Sequence, residues 1–342
     1  MKRRIIIHSD GPLKAVHSNI ESDLVRYLNS EIIGIIDKSN SGKTVEEVFG
    51  FGGDIPIAAT LDEFLTLKPN YLLIGASSFK GTFPMEWYPM VIKALQMRIH
   101  ILNGLHQTLN SLAEFDLLAK KYKAKIIDLR ENCEKPIKFK NITRNIQAKK
   151  ILIAGANINA CELTTTMEIV NSVHKDGVSA DWIATGLASR LIKGKGFISE
   201  SLTADLISGY VENELLELDQ KFEYLFVEGQ GAIIDPIRAS VSIGILHGTR
   251  PDAVILTYRV ESGNDADAIV RGFENYKHML RQIIKADLIG VSLNTILLSE
   301  EDANSVIQEV KDQIHLPVVD PLRTGVADLV TALKDVEKIH QN

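Results

Sequence analysis

The chain has 342 residues, of which 45% are apolar and 24% charged, and a formal net charge of -6. That is the mix of a globular protein long enough for two domains of ordinary size. A mildly acidic chain without a long basic block argues against nucleic acid or an anionic membrane surface as a partner.

The chain opens Met1-Lys2-Arg3-Arg4-Ile5-Ile6-Ile7-His8, with only three apolar residues after the basic ones. That run is too short for a signal-peptide core and suits a first buried strand. No stretch approaches the ~18 apolar residues of a membrane span, so no membrane partner and a cytoplasmic location are expected. Cys133 and Cys161 have no Cys-x-x-Cys spacing, so neither zinc nor a redox pair is signalled. Metal use stays open.

Short β-rich runs then alternate with longer amphipathic ones. Strands are expected at 4–8, 31–37, 71–74, 99–102 and 125–128, and helices at 13–28, 86–97 and 109–122. This rhythm predicts a parallel sheet with helices on both faces, a Rossmann-like domain over 1–130. The rhythm breaks over 131–149, which is charged, carries Pro136 and reads as a linker. It restarts at Lys150 and fills a second α/β domain over 150–342. Its strands are expected at 151–155, 180–184, 222–227, 253–258, 288–298 and 318–319, and its helices at 163–174, 203–218, 268–284 and 326–336.

Two glycine motifs of the first domain fall short of their patterns. Ser41-Gly42-Lys43-Thr44 has the tail of a phosphate loop, but Asp37 stands where the earlier glycine belongs. Gly50-Phe51-Gly52-Gly53-Asp54-Ile55 starts like a dinucleotide fingerprint and ends on Ile55. A surface loop and a glycine-rich turn are the better readings. His106 follows the strand at 99–102, on the edge where parallel sheets gather ligands, and is a candidate substrate-binding residue.

In the second domain the strand at 151–154 runs into Gly155-Ala156-Asn157-Ile158-Asn159-Ala160-Cys161-Glu162, and then a helix. This is the layout of a P-loop NTPase-like domain, in which backbone amides cradle phosphate and a lysine neutralises it. Gly155 is kept, but Cys161 takes the glycine position and Glu162 the lysine position. A carboxylate there repels phosphate by roughly 4 kcal/mol at 4 Å and a surface-like dielectric. It equally suits the first turn of a helix. Val227-Glu228-Gly229-Gln230-Gly231 puts an acid at a strand end over a glycine turn, which suits a carboxylate facing a ligand or Mg²⁺. Thr185 and Gly186 end another strand on the same edge. His247 and Gly248 close a helix.

With these residues the chain resembles the DUF1611 family, which joins a Rossmann-like N-terminal domain to a P-loop C-terminal domain. The resemblance runs through Gly34-Ile35-Ile36-Asp37, Gly42-Lys43-Thr44, Gly50 to Pro56, Glu86-Trp87 and Gly104-Leu105-His106. It continues through Ala184-Thr185-Gly186, Glu228 to Gly231, Leu246-His247-Gly248 and Asp320-Pro321-Leu322-Arg323. The P-loop half is also similar to dethiobiotin synthetase.

The family resemblance implies a D-glutamate N-acetyltransferase using acetyl-CoA, working beside an N-acetyl-D-glutamate racemase on a small acidic amino acid, with room for a homo-oligomer. On that reading Glu228 and His247 are the candidate bases. Gly155, Asn157, Asn159, Thr164 and Thr165 are the cofactor-binding residues. His106, Thr185, Gly186, Gly229, Gln230, Gly231, Arg250 and Arg323 are the substrate-binding ones. Family members keep Gly-Lys where this chain has Cys161-Glu162, which implies impaired phosphate binding and makes ATP with Mg²⁺ an unfavourable ligand. Two alternatives stand beside it: a non-catalytic or regulatory ligand-binding paralogue, and an ATP-dependent ligase-like enzyme.

Overall fold

A computed structural model describes residues 2–13, 20–75, 82–131 and 136–336. The chain divides into two units, residues 1–133 with 190–194, and residues 134–189 with 195–342.

The first unit is built on six strands: β1 (Ile5–His8), β2 (Ile32–Ile36), β3 (Ile57–Ala58), β4 (Tyr71–Ile74), β5 (His100–Asn103) and β6 (Ile126–Asp128). They lie in the order β3-β2-β1-β4-β5-β6, and every pairing is parallel. Ile5-Ile6-Ile7 and Leu72-Leu73-Ile74 are buried along their whole length, as expected of strands covered on both faces. Helices α1 (Ile20–Leu28), α2 (Val45–Phe49), α3 (Tyr88–Gln96) and α4 (Ala113–Tyr122) supply the cover. The expected helix at 13–28 is seen from Ile20; its residues 14–19, like Cys133, lie outside the described residues. Gly42-Lys43-Thr44 leads into α2, where the Thr44 side chain and Glu47 form a capping box, and Gly50 ends the helix at φ 75°. β3 has only two residues, too few to leave a pattern in the sequence.

The second unit carries β7 (Lys149–Gly155), β8 (Ala180–Ile183), β9 (Tyr224–Ala232), β10 (Ala253–Arg259), β11 (Asp287–Asn294) and β12 (Val318–Val319). Their order is β12-β11-β10-β7-β9-β8, again all parallel. The helices are α5 (Glu162–Lys175), α6 (Leu187–Lys193, whose residues from Arg190 on are counted with the first unit), α7 (Ile207–Leu218), α8 (Ala239–Thr249), α9 (Ala266–Ile283), α10 (Glu300–Ile314) and α11 (Ala327–Lys334). The core is formed by Ile151–Ile153, Leu225–Val227 and Val254–Leu256 with the inner faces of α7, α9 and α10. At the amino ends of the strands Lys150 and Asp252 form a buried ion pair at 3.2 Å, and the same carboxylate accepts the Lys150 amide at 2.8 Å.

Among the described residues 136–148, ahead of β7, the only regular structure is a short turn at Thr143–Asn145, yet the strip is fastened. The buried Glu212 carboxylate of α7 accepts the amides of Lys140 and Ile142, both at 2.6 Å, and of Thr143 at 3.2 Å. The strand expected at 288–298 stops at Asn294, and α7 begins at Ile207 because residues 204–206 form a tighter turn.

Candidate functional site

The site is assembled where β7 and β9, side by side, reach their carboxyl ends. β7 delivers the turn 156–161 and then α5. Asn159 and Cys161 both hold left-handed backbone, at φ 59° and 69°. Cys161 therefore takes the conformation that glycine adopts freely, at a cost of about 1 kcal/mol. Asn294, at the end of β11, steadies this turn: its amide nitrogen lies 3.2 Å from the Asn159 carbonyl and 2.9 Å from Cys161 Sγ. The Asn157 side chain is engaged in the same way, pairing with both the N–H (2.8 Å) and the C=O (2.7 Å) of Arg259.

Glu162, first residue of α5, turns its carboxylate inward. Oε1 accepts the Gly231 amide at 2.7 Å. The same oxygen would stand 2.3 Å from a Cβ placed on Gly155, so it rests against the bare backbone there. The residue keeps some exposed surface, but its carboxyl end is enclosed. Burial pushes its pKa up, opposed by its own amide, the Gly231 amide and the Arg238 charge. The Arg238 stem packs over Gly231, which sits at φ 72°, and its guanidinium meets Glu200.

Glu228 stands opposite Ile153 and is 3% exposed. Its Oε2 accepts the Thr185 amide at 2.8 Å and lies 3.2 Å from the Thr185 hydroxyl. Gln230 donates to that hydroxyl at 3.1 Å. Gly229 has no room for a side chain, since a Cβ would stand 2.4 Å from the Ile153 carbonyl. Burial pushes the Glu228 pKa up to about 7, against the pull of Ser189 and Thr185 and with a further upward push from the Glu162 charge. The Glu162 charge thus makes Glu228 harder to ionise.

The structure brings Gly155, Asn157, Asn159, Thr185, Gly186, Glu228, Gly229, Gln230 and Gly231 to this strand edge. Gly186 donates to the Ser189 hydroxyl at 2.9 Å. Thr164 and Thr165 are buried in the first turns of α5, and the Thr165 hydroxyl is 2.8 Å from that of Ser292. Arg323 lies on the same edge, its guanidinium directed to the carbonyls of Leu298 (2.8 Å) and Thr295 (3.4 Å). His247 and Arg250 are placed elsewhere. α8 runs back against the strands, and Arg250 caps its end just before β10 begins. Both therefore lie at the amino ends of the strands, roughly 16 Å from Glu228's edge at ~3.3 Å per strand residue. His106 is exposed in the first unit, its pKa lowered by desolvation and by Arg130. Ser189, Arg238 and Asn294 escaped the sequence reading. Only Asn294, a polar residue closing an apolar strand, left a signal that could have been noticed.

A phosphate does not fit the loop as it stands. The lysine position supplies an anion, and that anion already occupies the amide of Gly231. Among the described residues no group of three or more His, Cys, Asp or Glu is arranged to hold a metal. Nor is any helix among them long and apolar enough to cross a membrane. Beside the loop, Ala156 and the α9 residues Arg271, Gly272, Asn275 and Tyr276 line a cavity of 270 Å³.

The fold is a two-domain α/β architecture, a Rossmann-like parallel sheet followed by a P-loop-like one. Residues 138–330 match the model of the DUF1611 P-loop domain and residues 38–132 that of the DUF1611 Rossmann-like N-terminal domain, both described as domains of unknown function. The chain belongs to the DUF1611 family. A crystal structure of a DUF1611 family protein from Anabaena variabilis has the same fold, with a TM-score of 0.88 at 22% identity, covering 97% of this chain and 99% of that one. A D-glutamate N-acetyltransferase from a Pseudoalteromonas species is 26% identical over 79% of this chain and 83% of its own length. Another from Tritonibacter scottomollicae is 28% identical over 81% of this chain and 85% of its own length.

Proposed function

We propose that this protein transfers an acetyl group from acetyl-CoA to the amino group of D-glutamate or a similar acidic amino acid. The single observation that supports it best is Glu228, a buried carboxylate at a strand end whose pKa is pushed up to about 7. A base of that strength is matched to taking a proton from an ammonium group near neutral pH. In the step Glu228 takes one proton from the ammonium, the freed amine nitrogen forms a bond to the thioester carbonyl carbon, the C–S bond breaks, and the second N–H proton passes to the departing sulfur, which leaves as the free thiol. Thr185 and Ser189 hold the carboxylate in place. Arg271, which has no ion pair among the described residues, is the cation available to the substrate's side-chain carboxylate in the 270 Å³ cavity. It takes the role expected of Arg250, and Glu228 acts without His247. The phosphates of the donor gain nothing from the Glu162 position, so donor affinity rests on other contacts. The test is thiol release from acetyl-CoA with D-glutamate. Turnover that disappears in Glu228→Gln supports the reading; no turnover under conditions where an intact-loop relative works removes it.

One observation favours a second reading, a binding protein without catalysis. The hydrogen bond from Gly231 to Glu162 fills the loop with the protein's own anion. On that reading the double change Cys161→Gly with Glu162→Lys creates measurable binding of coenzyme A or nucleotide where the parent has none.

A further inference from the structure

The first unit holds a cavity of 460 Å³ lined by His8, Asp10, Lys38, Asp62, Glu86 and Trp87 among others. It opens beyond the carboxyl ends of β1 and β2. At β1 the strand order turns back on itself, the position at which open parallel sheets take small ligands.

The walls are poorly suited to phosphate. The turn after β1, Ser9-Asp10-Gly11-Pro12, has one glycine, no N–H at Pro12 and a carboxylate at Asp10. Asp37, the acid that could meet a ribose, already accepts from the amides of Leu13 (2.9 Å) and Ser39 (2.8 Å) and from Asn40 Nδ2 (2.7 Å).

What is left unpaired around the cavity is mostly hydrogen-bond acceptor. Asp10 and Glu86 have no hydrogen bond or ion pair among the described residues, and both act electrostatically on His8. The His8 ring packs edge-on to Trp87 at 4.6 Å, and its Nδ1 is buried with no hydrogen-bond partner among the described residues. Burial holds its pKa at about 4, so at neutral pH it brings a lone pair and no competing charge. Lys93 is neutralised by Asp62, while Lys38 carries no ion pair among the described residues.

We propose that this cavity binds a small primary-ammonium compound, most simply a free amino acid, with the ammonium among Asp10, Glu86 and His8 and the carboxylate toward Lys38. The site is independent of the acyl-transfer reading of the second unit. Calorimetric titration of the full chain with lysine, glutamate and putrescine tests it, with N-acetylglutamate and NAD as comparisons. The variants are Asp10→Asn with Glu86→Gln, whose melting should match the parent because neither side chain has a hydrogen bond or ion pair among the described residues, and Glu228→Gln. We expect at least one ammonium probe to bind, tenfold or more weakly in the Asp10/Glu86 variant, and unchanged in Glu228→Gln. No binding of any ammonium probe, binding indifferent to both cavity carboxylates, or tighter binding of NAD or N-acetylglutamate overturns it. Binding lost only in Glu228→Gln also overturns it and leaves the acyl-transfer reading standing.

Discussion

Each unit places acids at the carboxyl ends of parallel strands, and the two units use them differently. In the first, Asp37 accepts three donors, and Asp128 does the same from Asn103 Nδ2 (2.7 Å) and the amides of Leu109 (2.8 Å) and Asn110 (3.0 Å). In the second, the donors to Glu228 among the described residues are the amide and hydroxyl of Thr185 and the hydroxyl of Ser189, and the Glu162 charge acts on it as well. An acid that gathers three backbone and amide donors holds a turn. An acid for which burial and a like charge nearby outweigh its donors holds a proton.

The sharpest way to break this contrast is activity. If the enzyme reading is right, Glu228→Gln lowers kcat by about 10³-fold, the scale of a lost general base. Asp128→Asn leaves kcat close to that of the parent; a comparable loss there would erase the distinction. Stability should respond the other way round. Asp128→Ala leaves three N–H groups without their acceptor, and a loss of about 3 kcal/mol is expected from denaturant unfolding.

Linkage gives the third measurement. The Glu228 pKa is raised from 4.5 in the unfolded chain to about 7 in the folded one, so the folded state keeps a proton that the unfolded state releases. Stability is therefore full below about pH 4.5 and falls as pH rises to about 7, by at most about 3 kcal/mol. Glu228→Gln removes this fall, so its melting temperature relative to the parent should rise from pH 5 to pH 8. A gap that does not widen with pH means that Glu228 is ordinarily ionised. The smallest effect concerns its neighbour. Glu162→Gln takes away a negative charge that helps hold the Glu228 proton, so the rise in rate with pH moves to lower pH.

The alternation of apolar runs and amphipathic segments carried most of the fold, because strands buried on both faces leave continuous runs such as Ile5-Ile6-Ile7 and Tyr224 to Val227. The two-residue β3 left none. At the site, Glu228 and the 229–231 turn were legible because an acid and spaced glycines at a strand end form a local pattern. His247 and Arg250 were misplaced because their position depends on the direction in which α8 returns. A motif does not encode that, though the long run from β9 to β10 demands it. Asn294 reaches Cys161 across 133 residues of sequence, a pairing that spacing could not reveal.

The carboxylate of Glu212 has a consequence for dissecting the molecule. It collects the amides of Lys140, Ile142 and Thr143, so residues that read as a tether are a sash tied around α7. Cutting the polypeptide just ahead of β7 would strand that side chain in the interior without its donors, whereas a cut several residues before Lys140 spares it. The place to separate the halves is therefore set by a knot tied in α7, far along the chain from the scissors.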